Sequence, residues 1–425
     1  MINPSGKTEK FIQFGEGGFL RGFVDWMIQK LNDTTAFEGS VIVVQPIREG
    51  LCDTLSSQNC AYTHIIRGEE GVETYVIQAI SRCIKPYEDY QSYLELAKIP
   101  TVRYIISNTT EAGIEFKDTD AIADNPPSTF PGKLTALLYA RFQEKLPGFI
   151  LLPCELNDRN GDLLKSAVMQ YAKHWQLGDA FIAWINNENH FCNTLVDRIN
   201  TGYPKGENIH TDFEDKMINT SEYFHLWVIE TQLDLQAELP FQKAGLNVIV
   251  TKDALEMYRT RKVRILNGAH TSMVPYALLE GFDTVKSCMD DPKMHSFIRK
   301  CMFNEIIPTL DLPQEELEQY AEDVLTRFAN PYIRHYLSSI ALNSVSKFKV
   351  RVLPSILEYK KRFGRYPRHL TFAFQKLLEF YKTGMPNDDP EIINYIKTHS
   401  TAEILCNTSL WGTDISDLEK EFSEC

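Results

Sequence analysis

Short apolar runs alternate with stretches of helical spacing along the first half of the chain. KFIQF at 10–14, VIVVQ at 41–45, VRYIIS at 102–107, FILLP at 149–153 and FIAWI at 181–185 read as strands buried on both faces, as in a parallel sheet. Helical spacing follows in FVDWMIQKLN at 23–32, from near Leu134, and around 162–175. Residues 61–83 alternate in β-like runs (YTHIIR, TYVIQAIS) and predict an inserted hairpin or an extension of the sheet. DNPPSTFPGK at 124–133 is a loop by composition. After LNVIVT at 246–251, a connecting or edge strand, the pattern is helical: 251–281, 293–306, 314–327, 331–342, 350–362, 368–382 and 389–396. Prolines fall between these runs or at their starts, where the missing N–H costs little.

The first strand runs into GEGGFLRG at 15–22 and then into a helix. Strand, glycine-rich turn and helix open a dinucleotide-binding unit. Gly15 permits the tight turn, and Gly17 and Gly18 with Phe19 form the approach for a pyrophosphate. The third glycine of GxGxxG would fall at Leu20, so the motif is a variant, and a plain strand-to-helix turn is the alternative. The second strand ends in Gln45 and Pro46, with Arg48 nearby, where NAD-binding domains carry an acid for the ribose. Physical reasoning therefore leaves NAD and NADP both open. Asn108 and Thr109 follow the third core strand and Asn157 the fourth, on the edge where open α/β sheets bind ligands; Glu111 is a weaker candidate. The fold expected is α/β: a Rossmann-like dinucleotide-binding domain over 1–240, then a mostly α-helical domain over 241–425.

The stretch 251–281 reads as one helix, apolar on more than one side yet carrying Lys262, Asn267 and His270. At about 100° per residue these stand at roughly 0°, 140° and 80°, on one broad face. A lysine can exchange a proton, an asparagine can hold an oxyanion and a histidine can orient a hydroxyl. A surface lysine, an Asn-Gly interruption and a core histidine would give the same spacing. Asn193 could join them, or could cap a helix beginning at Thr194, and Asp197 with Arg198 suggests a local ion pair.

Composition narrows the partners. Of 425 residues, 43% are hydrophobic and 24% charged, and the net charge of -13 disfavours nucleic acid and anionic membranes. No apolar run reaches the length of a membrane span, and MINPSGKTEK lacks the core of a signal peptide. The nine cysteines lack paired spacing and read as reduced thiols, so a cytoplasmic protein without a metal site is expected.

Taken together, the sequence resembles the mannitol dehydrogenase family of polyol and sugar-acid oxidoreductases. GEGGFLR at 15–21, CELNDRNG at 154–161, FCNTLVDRI at 191–199 and KVRILNGAH at 262–270 match in order, and RFANP at 327–331 and SKFKVRVLP at 346–354 are similar to its C-terminal segments. Within the family, IQFGEGGFLRGFVDW at 12–26 is most similar to members that reduce the hexuronate tagaturonate to altronate. The resemblance implies NAD as cofactor, a sugar-acid substrate and a site in a cleft between two domains. It further implies Lys262 as acid/base, Asn193 and Asn267 holding the carbinol oxygen, and His270 positioning the substrate. It also implies Lys347 as a substrate contact, although NSVSK at 343–347 stands where DGSxK is usual. Lys347 and Arg351, four residues apart, would share a helix face and could receive a carboxylate. Fructuronate reduction, a neutral polyol dehydrogenase and a dinucleotide-binding sensor without turnover are the competing readings. A sensor would have no need of the full Lys-Asn-Asn-His set.

Overall fold

A computed structural model of the chain describes residues 5–423. Two compact units divide it, Met1–Leu255 and Glu256–Cys425. In the first, six strands build one sheet: β1 (Thr8–Phe14), β2 (Gly39–Val44), β3 (Ile80–Ile84), β4 (Tyr104–Ser107), β5 (Ile150–Pro153) and β6 (His190–Phe191). The order is β3-β2-β1-β4-β5-β6, with every neighbouring pair parallel. That is the doubly wound dinucleotide-binding order.

Alternation along the strands fills two cores. Phe11, Val41, Val43, Tyr104, Ile106, Ile150 and Leu152 join the cluster on one face, whereas Ile12, Phe14, Ile42, Val44, Ile105 and Leu151 join the other. Both faces are therefore covered, and this is why the strands lack polar alternation. The order reverses between β1 and β4, so a crevice opens outside their carboxyl ends.

The hairpin expected over 61–83 is present: Tyr62–Gly68 pairs antiparallel with Gly71–Ile77. It belongs to a second sheet that includes Asn200–Gly202 and Asn219–Ser221. A third sheet joins Asn193–Asp197, Leu226–Glu230 and Val248–Thr251. The last of these pairs with Leu226–Glu230, which ties residues 248–251, assigned by the sequence to the second domain, to the first unit.

FIAWI at 181–185 is not a strand. It lies in the helix Asp179–Glu188, with Phe181 and Ile185 buried one turn apart. A short apolar run fits a buried strand or a helix equally well, and here β6 takes the strand role nine residues after Phe181, at His190. The helix expected near Leu134 starts at Phe130, where Thr129 caps the Gly132 N–H and Pro131 occupies the first turn.

In the second unit the helix Gly268–Leu279 is the hub. Every residue from Gly268 to Ala277 is buried, and it packs against the helices Arg368–Tyr381 and Ser344–Arg351. The single helix expected over 251–281 is three segments. Thr251 ends a strand, Leu255–Arg261 is α-helical, and Lys262–Asn267 is π-helical before the α-helix resumes at Gly268. The helix expected over 331–342 is one turn, Leu337–Ile340, because Tyr332 to Tyr336 follow an irregular path after Pro331.

Candidate active site

The glycine-rich turn is held from several sides. Gly15 has φ +115° and donates its N–H to Val44 O at 3.0 Å; a Cβ there would lie 3.3 Å from Asn108 O. This positive φ and close approach explain the glycine. Gly17 is exposed, and a Cβ there would meet nothing within 4 Å, so the space above it is open. Gly18 begins the next helical turn, and Phe19 stacks on Phe23 at 5.0 Å.

Gly22 is a residue that sequence reasoning missed. A Cβ there would fall 2.0 Å from Asn200 Oδ1, 2.5 Å from Asn219 Nδ2 and 2.8 Å from His64 Cε1. It lets the turn seat against the second sheet, the close-packing task assigned to the last glycine of the motif. The final glycine of GEGGFLRG was the available signal.

Glu16 reaches under the turn and accepts Leu51 N–H at 3.0 Å, and burial pushes its carboxyl pKa up. Gln45 is committed to the loop after β2. Its Nε2 donates to Ile47 O and Arg48 O, each at 3.0 Å, and its Oε1 accepts Cys52 N–H at 3.3 Å. Arg48 places its guanidinium 4.5 Å from the centre of the Tyr87 ring.

Across the switch point, Asn108 Nδ2 donates to Cys154 O at 2.7 Å. Thr109 turns both its N–H and its hydroxyl to the Glu155 carboxylate, at 2.9 and 3.0 Å, and Ser107 Oγ donates to the same group at 3.0 Å. Glu155 is buried, with its pKa raised by burial, and it fixes the loop that carries Asn108 and Thr109. In the sequence it is one acid among many, marked only by following the fourth core strand in CELNDRNG. Asn157 donates Nδ2 to Glu111 O at 3.1 Å, while its buried Oδ1 has no hydrogen-bond partner.

Asn193 does not cap a helix at Thr194; it opens the strand Asn193–Asp197. Its Oδ1 accepts Asp162 N–H at 3.1 Å, which orients the side chain and leaves the amide Nδ2 to donate. Asn160 and Gly161 lock this strand in place. Asn160 Oδ1 accepts Thr194 N–H at 2.8 Å, and a Cβ on Gly161 would collide with Cys192 O at 2.3 Å. The two segments CELNDRNG and FCNTLVDRI thus form one structural joint. Arg198 donates Nη1 to Gly22 O at 2.7 Å and Nη2 to Glu222 O at 2.8 Å.

In the second unit, Lys262 and Asn267 bound the π-helical stretch, and both are half-buried. Gly268 N–H donates to Val263 O, five residues back. On an ideal α-helix Lys262 and Asn267 would stand about 140° apart. Where turns close i→i+5, residues five apart are separated by one turn, so both come to the same side. His270 lies three residues further on.

His270 is buried, stacked on Phe328 at 4.0 Å with its ring 4.9 Å from His335, edge to face. Its Nε2 has no hydrogen-bond partner. Burial, then His335, Arg327 and Arg351, hold its pKa well below the usual imidazole value, so it is uncharged near neutral pH. Lys347 and Arg351 lie in the helix Ser344–Arg351, as their spacing predicts. Lys347 Nζ donates to Ile340 O at 2.8 Å, and its pKa is lowered by burial and by Arg351. Among the described residues, no group of three or more His, Cys, Asp or Glu could hold a metal ion. Among the described residues, no helix is long and apolar enough to cross a membrane.

Comparison with known proteins accounts for this layout. Residues 9–243 match the model of the mannitol dehydrogenase Rossmann domain, and residues 254–423 that of the mannitol dehydrogenase C-terminal domain. The chain belongs to the mannitol dehydrogenase family. It is an oxidoreductase. Among relatives, altronate oxidoreductase of Bacillus subtilis (strain 168) is 45% identical over 435 residues, covering 97% of this chain and 90% of that protein. Among solved structures, D-sorbitol dehydrogenase in its substrate-free form superimposes with a TM-score of 0.84 at 22% identity, covering 99% of this chain and 93% of that one. The Pseudomonas fluorescens mannitol 2-dehydrogenase complex with NAD and D-mannitol gives 0.70 at 21% identity, covering 99% and 90%. At that identity the structural matches speak for the fold, which is the mannitol dehydrogenase family's Rossmann-like and helical pair.

Proposed function

We propose that the protein is an NAD-dependent hexuronate reductase that interconverts tagaturonate and altronate. The observation that carries this reading is the environment of His270. It is a buried, uncharged imidazole with an unpartnered Nε2, and the titratable groups acting on it, His335, Arg327 and Arg351, are all basic, the two arginines carrying the charge. Such surroundings suit a ligand with one hydroxyl to be held and one negative charge to be balanced. The relatives named altronate oxidoreductase support the choice of substrate.

The first unit suits a dinucleotide. The open space over Gly17 admits a pyrophosphate, and the unpartnered Asn157 Oδ1 offers an acceptor on the carboxyl edge of the sheet, near Asn108 and Thr109. NAD is favoured over NADP because Arg48 is seated on Tyr87, and Gln45 is engaged with its own loop.

NADH, when bound, supplies the hydride. As the carbonyl carbon accepts it, negative charge builds on the oxygen, and the Lys262 ammonium gives that oxygen its proton. In the reverse direction the neutral amine removes the alcohol proton. The Asn193 and Asn267 amides donate hydrogen bonds to the oxygen as charge develops. Asn193 has this orientation because its own Oδ1 is occupied by Asp162 N–H. His270 makes one hydrogen bond to a substrate hydroxyl through Nε2, and Arg351 with Lys347 balances the carboxylate.

The test is NADH oxidation with tagaturonate, fructuronate and fructose, with NADPH in parallel. The reading expects the highest kcat/KM with tagaturonate and NADH. A higher value with fructuronate or fructose would replace the substrate, and a preference for NADPH would replace the cofactor.

A further inference from the structure

Directly below the glycine-rich turn lies a buried amide–carboxylate pair with no part in the chemistry described so far. Gln13 on β1 and Asp25 on the helix Val24–Thr34 are both fully buried. Gln13 Nε2 donates to Gly15 O at 3.1 Å and to Asp25 Oδ2 at 3.3 Å. The two remaining oxygens, Gln13 Oε1 and Asp25 Oδ1, have no hydrogen-bond partner. Burying a carboxylate without full pairing costs several kcal/mol, so an apolar residue would serve packing better.

We propose that Asp25, acting through Gln13, is a positioning residue for the glycine-rich turn, and that its ionised form strengthens dinucleotide binding. This rests on the dinucleotide reading given above. The carboxylate can only accept hydrogen bonds, so it keeps the Gln13 NH₂ group facing Gly15 O. Once protonated, Asp25 needs an acceptor of its own, and the amide it already meets carries an unpaired one, Gln13 Oε1. Satisfying it turns the amide and withdraws the donor from Gly15 O, the carbonyl two residues before the open position at Gly17.

The groups around Asp25 are consistent with titration in the working range. The Gln13 hydrogen bond, then Arg21 and the Tyr62 hydroxyl, favour its ionised form, and the Cys60 thiol is held neutral by Cys83 and burial, with Asp25 adding to them. Tyr62 donates its hydroxyl to Arg21 O at 2.7 Å, and Asp215 acts on both Arg21 and Tyr62. Burial outweighs these and lifts Asp25 to about 7.

The test is calorimetric titration with NADH from about pH 5.5 to about pH 8.5, on the unmodified chain, Asp25→Asn and Gln13→Met, with kcat at saturating NADH and melting curves alongside. In the unmodified chain Kd should rise roughly three- to tenfold toward the acid end, the worth of one hydrogen bond, at unchanged kcat. Asp25→Asn can accept from Gln13 Nε2 and donate to Gln13 Oε1, so its Kd should be flat with pH. Gln13→Met should bind weakly at every pH and stay folded at the assay temperature, with a melting point lowered by the loss of the donor to Asp25 and Gly15 O. A rise in Kd that persists in Asp25→Asn, or full affinity at alkaline pH in Gln13→Met, would overturn the inference while leaving the dinucleotide reading intact. An unmodified chain that binds no NADH at any pH would overturn both. If Asp25→Asn fails to fold, Gln13→Met decides alone.

Discussion

Gly17 and Gly22 lie five residues apart in one turn, yet they should fail in opposite ways. A methyl group at Gly22 would overlap Asn200 Oδ1, Asn219 Nδ2 and His64 Cε1, at 2.0, 2.5 and 2.8 Å. The Asn200 side chain can move cheaply, since neither of its amide atoms has a partner. The other two cannot. Asn219 and His64 are fully buried; Asn219 Nδ2 donates to Gly18 O at 2.9 Å, and His64 Nε2 lies 2.9 Å from Ser221 Oγ. Overpacking of this kind costs about 1–3 kcal/mol, partly offset by the roughly 0.5–1 kcal/mol that alanine gains over glycine in a helix. Gly22→Ala should therefore lose about 1–2 kcal/mol, a fall in Tm of about 2–8 °C for a unit of this size. At Gly17 the φ of -65° suits any residue and no protein atom lies within 4 Å of the new Cβ. Gly17→Val should melt within about 0.5 kcal/mol of the unmodified chain. Its Cβ would instead occupy the pyrophosphate path. Losing one charge-assisted hydrogen bond there costs about 1.5–3 kcal/mol, roughly a ten- to hundredfold rise in the Kd for NADH. Calorimetry and differential scanning measure the two quantities on the same samples. An unchanged Tm in Gly22→Ala would remove the close-packing argument. An unchanged Kd in Gly17→Val would mean that the dinucleotide passes elsewhere.

Lys262→Met should bind NADH normally and lose turnover by roughly 10²–10⁴-fold; near-normal turnover would withdraw its assignment as proton donor. Arg351→Met should raise KM for tagaturonate far more than for any neutral ketose that turns over, and equal losses on both would reassign Arg351 to a shared hydroxyl. Lys347→Met should do less, since Lys347 already donates to Ile340 O. Asp25 holds its proton more tightly folded than unfolded, up to about 7 against an ordinary 3.8, so its contribution to stability is lost as pH rises between those values. Asp25→Asn should consequently melt above the unmodified chain beyond about pH 7, with the gap closing toward about pH 4; the opposite ordering would contradict the buried, unpaired carboxylate.

The parallel sheet was legible because VIVVQ, VRYIIS and FILLP are apolar on both faces, and only a sheet covered twice uses such strands. FIAWI was not, because five apolar residues carry no period of their own. Its helical state is decided by the layer that Phe181 and Ile185 bury against. The residues proposed to carry the chemistry stood out: Lys262, Asn267 and His270 are polar within an apolar stretch. Those that act through others did not. Glu155 reads as one acid among many until Ser107 and Thr109 fold over it, and Gln13 as a strand residue until Asp25 comes beneath it. A single sequence records what a side chain is; long-range hydrogen bonds show whom it serves.

The π-helical stretch at Lys262–Asn267 makes the register of backbone hydrogen bonds a variable of side-chain placement. It holds two α-helical pieces out of phase, one ending at Arg261, whose guanidinium bonds Glu316 at 2.7 Å, and one starting at Gly268 in the middle of the helical unit. Removing any one residue between them would let the α-helix run through with Lys262 four residues from the asparagine, about 40° away and still on its side. Closing the same six residues as α-helix with none removed would instead set Lys262 about 140° from Asn267. The register of the hydrogen-bonded ladder, and no single letter of VRIL at 263–266, thus brings the two side chains to one side. A substitution that tips this stretch toward i→i+4 bonding would trade that alignment for a more regular helix.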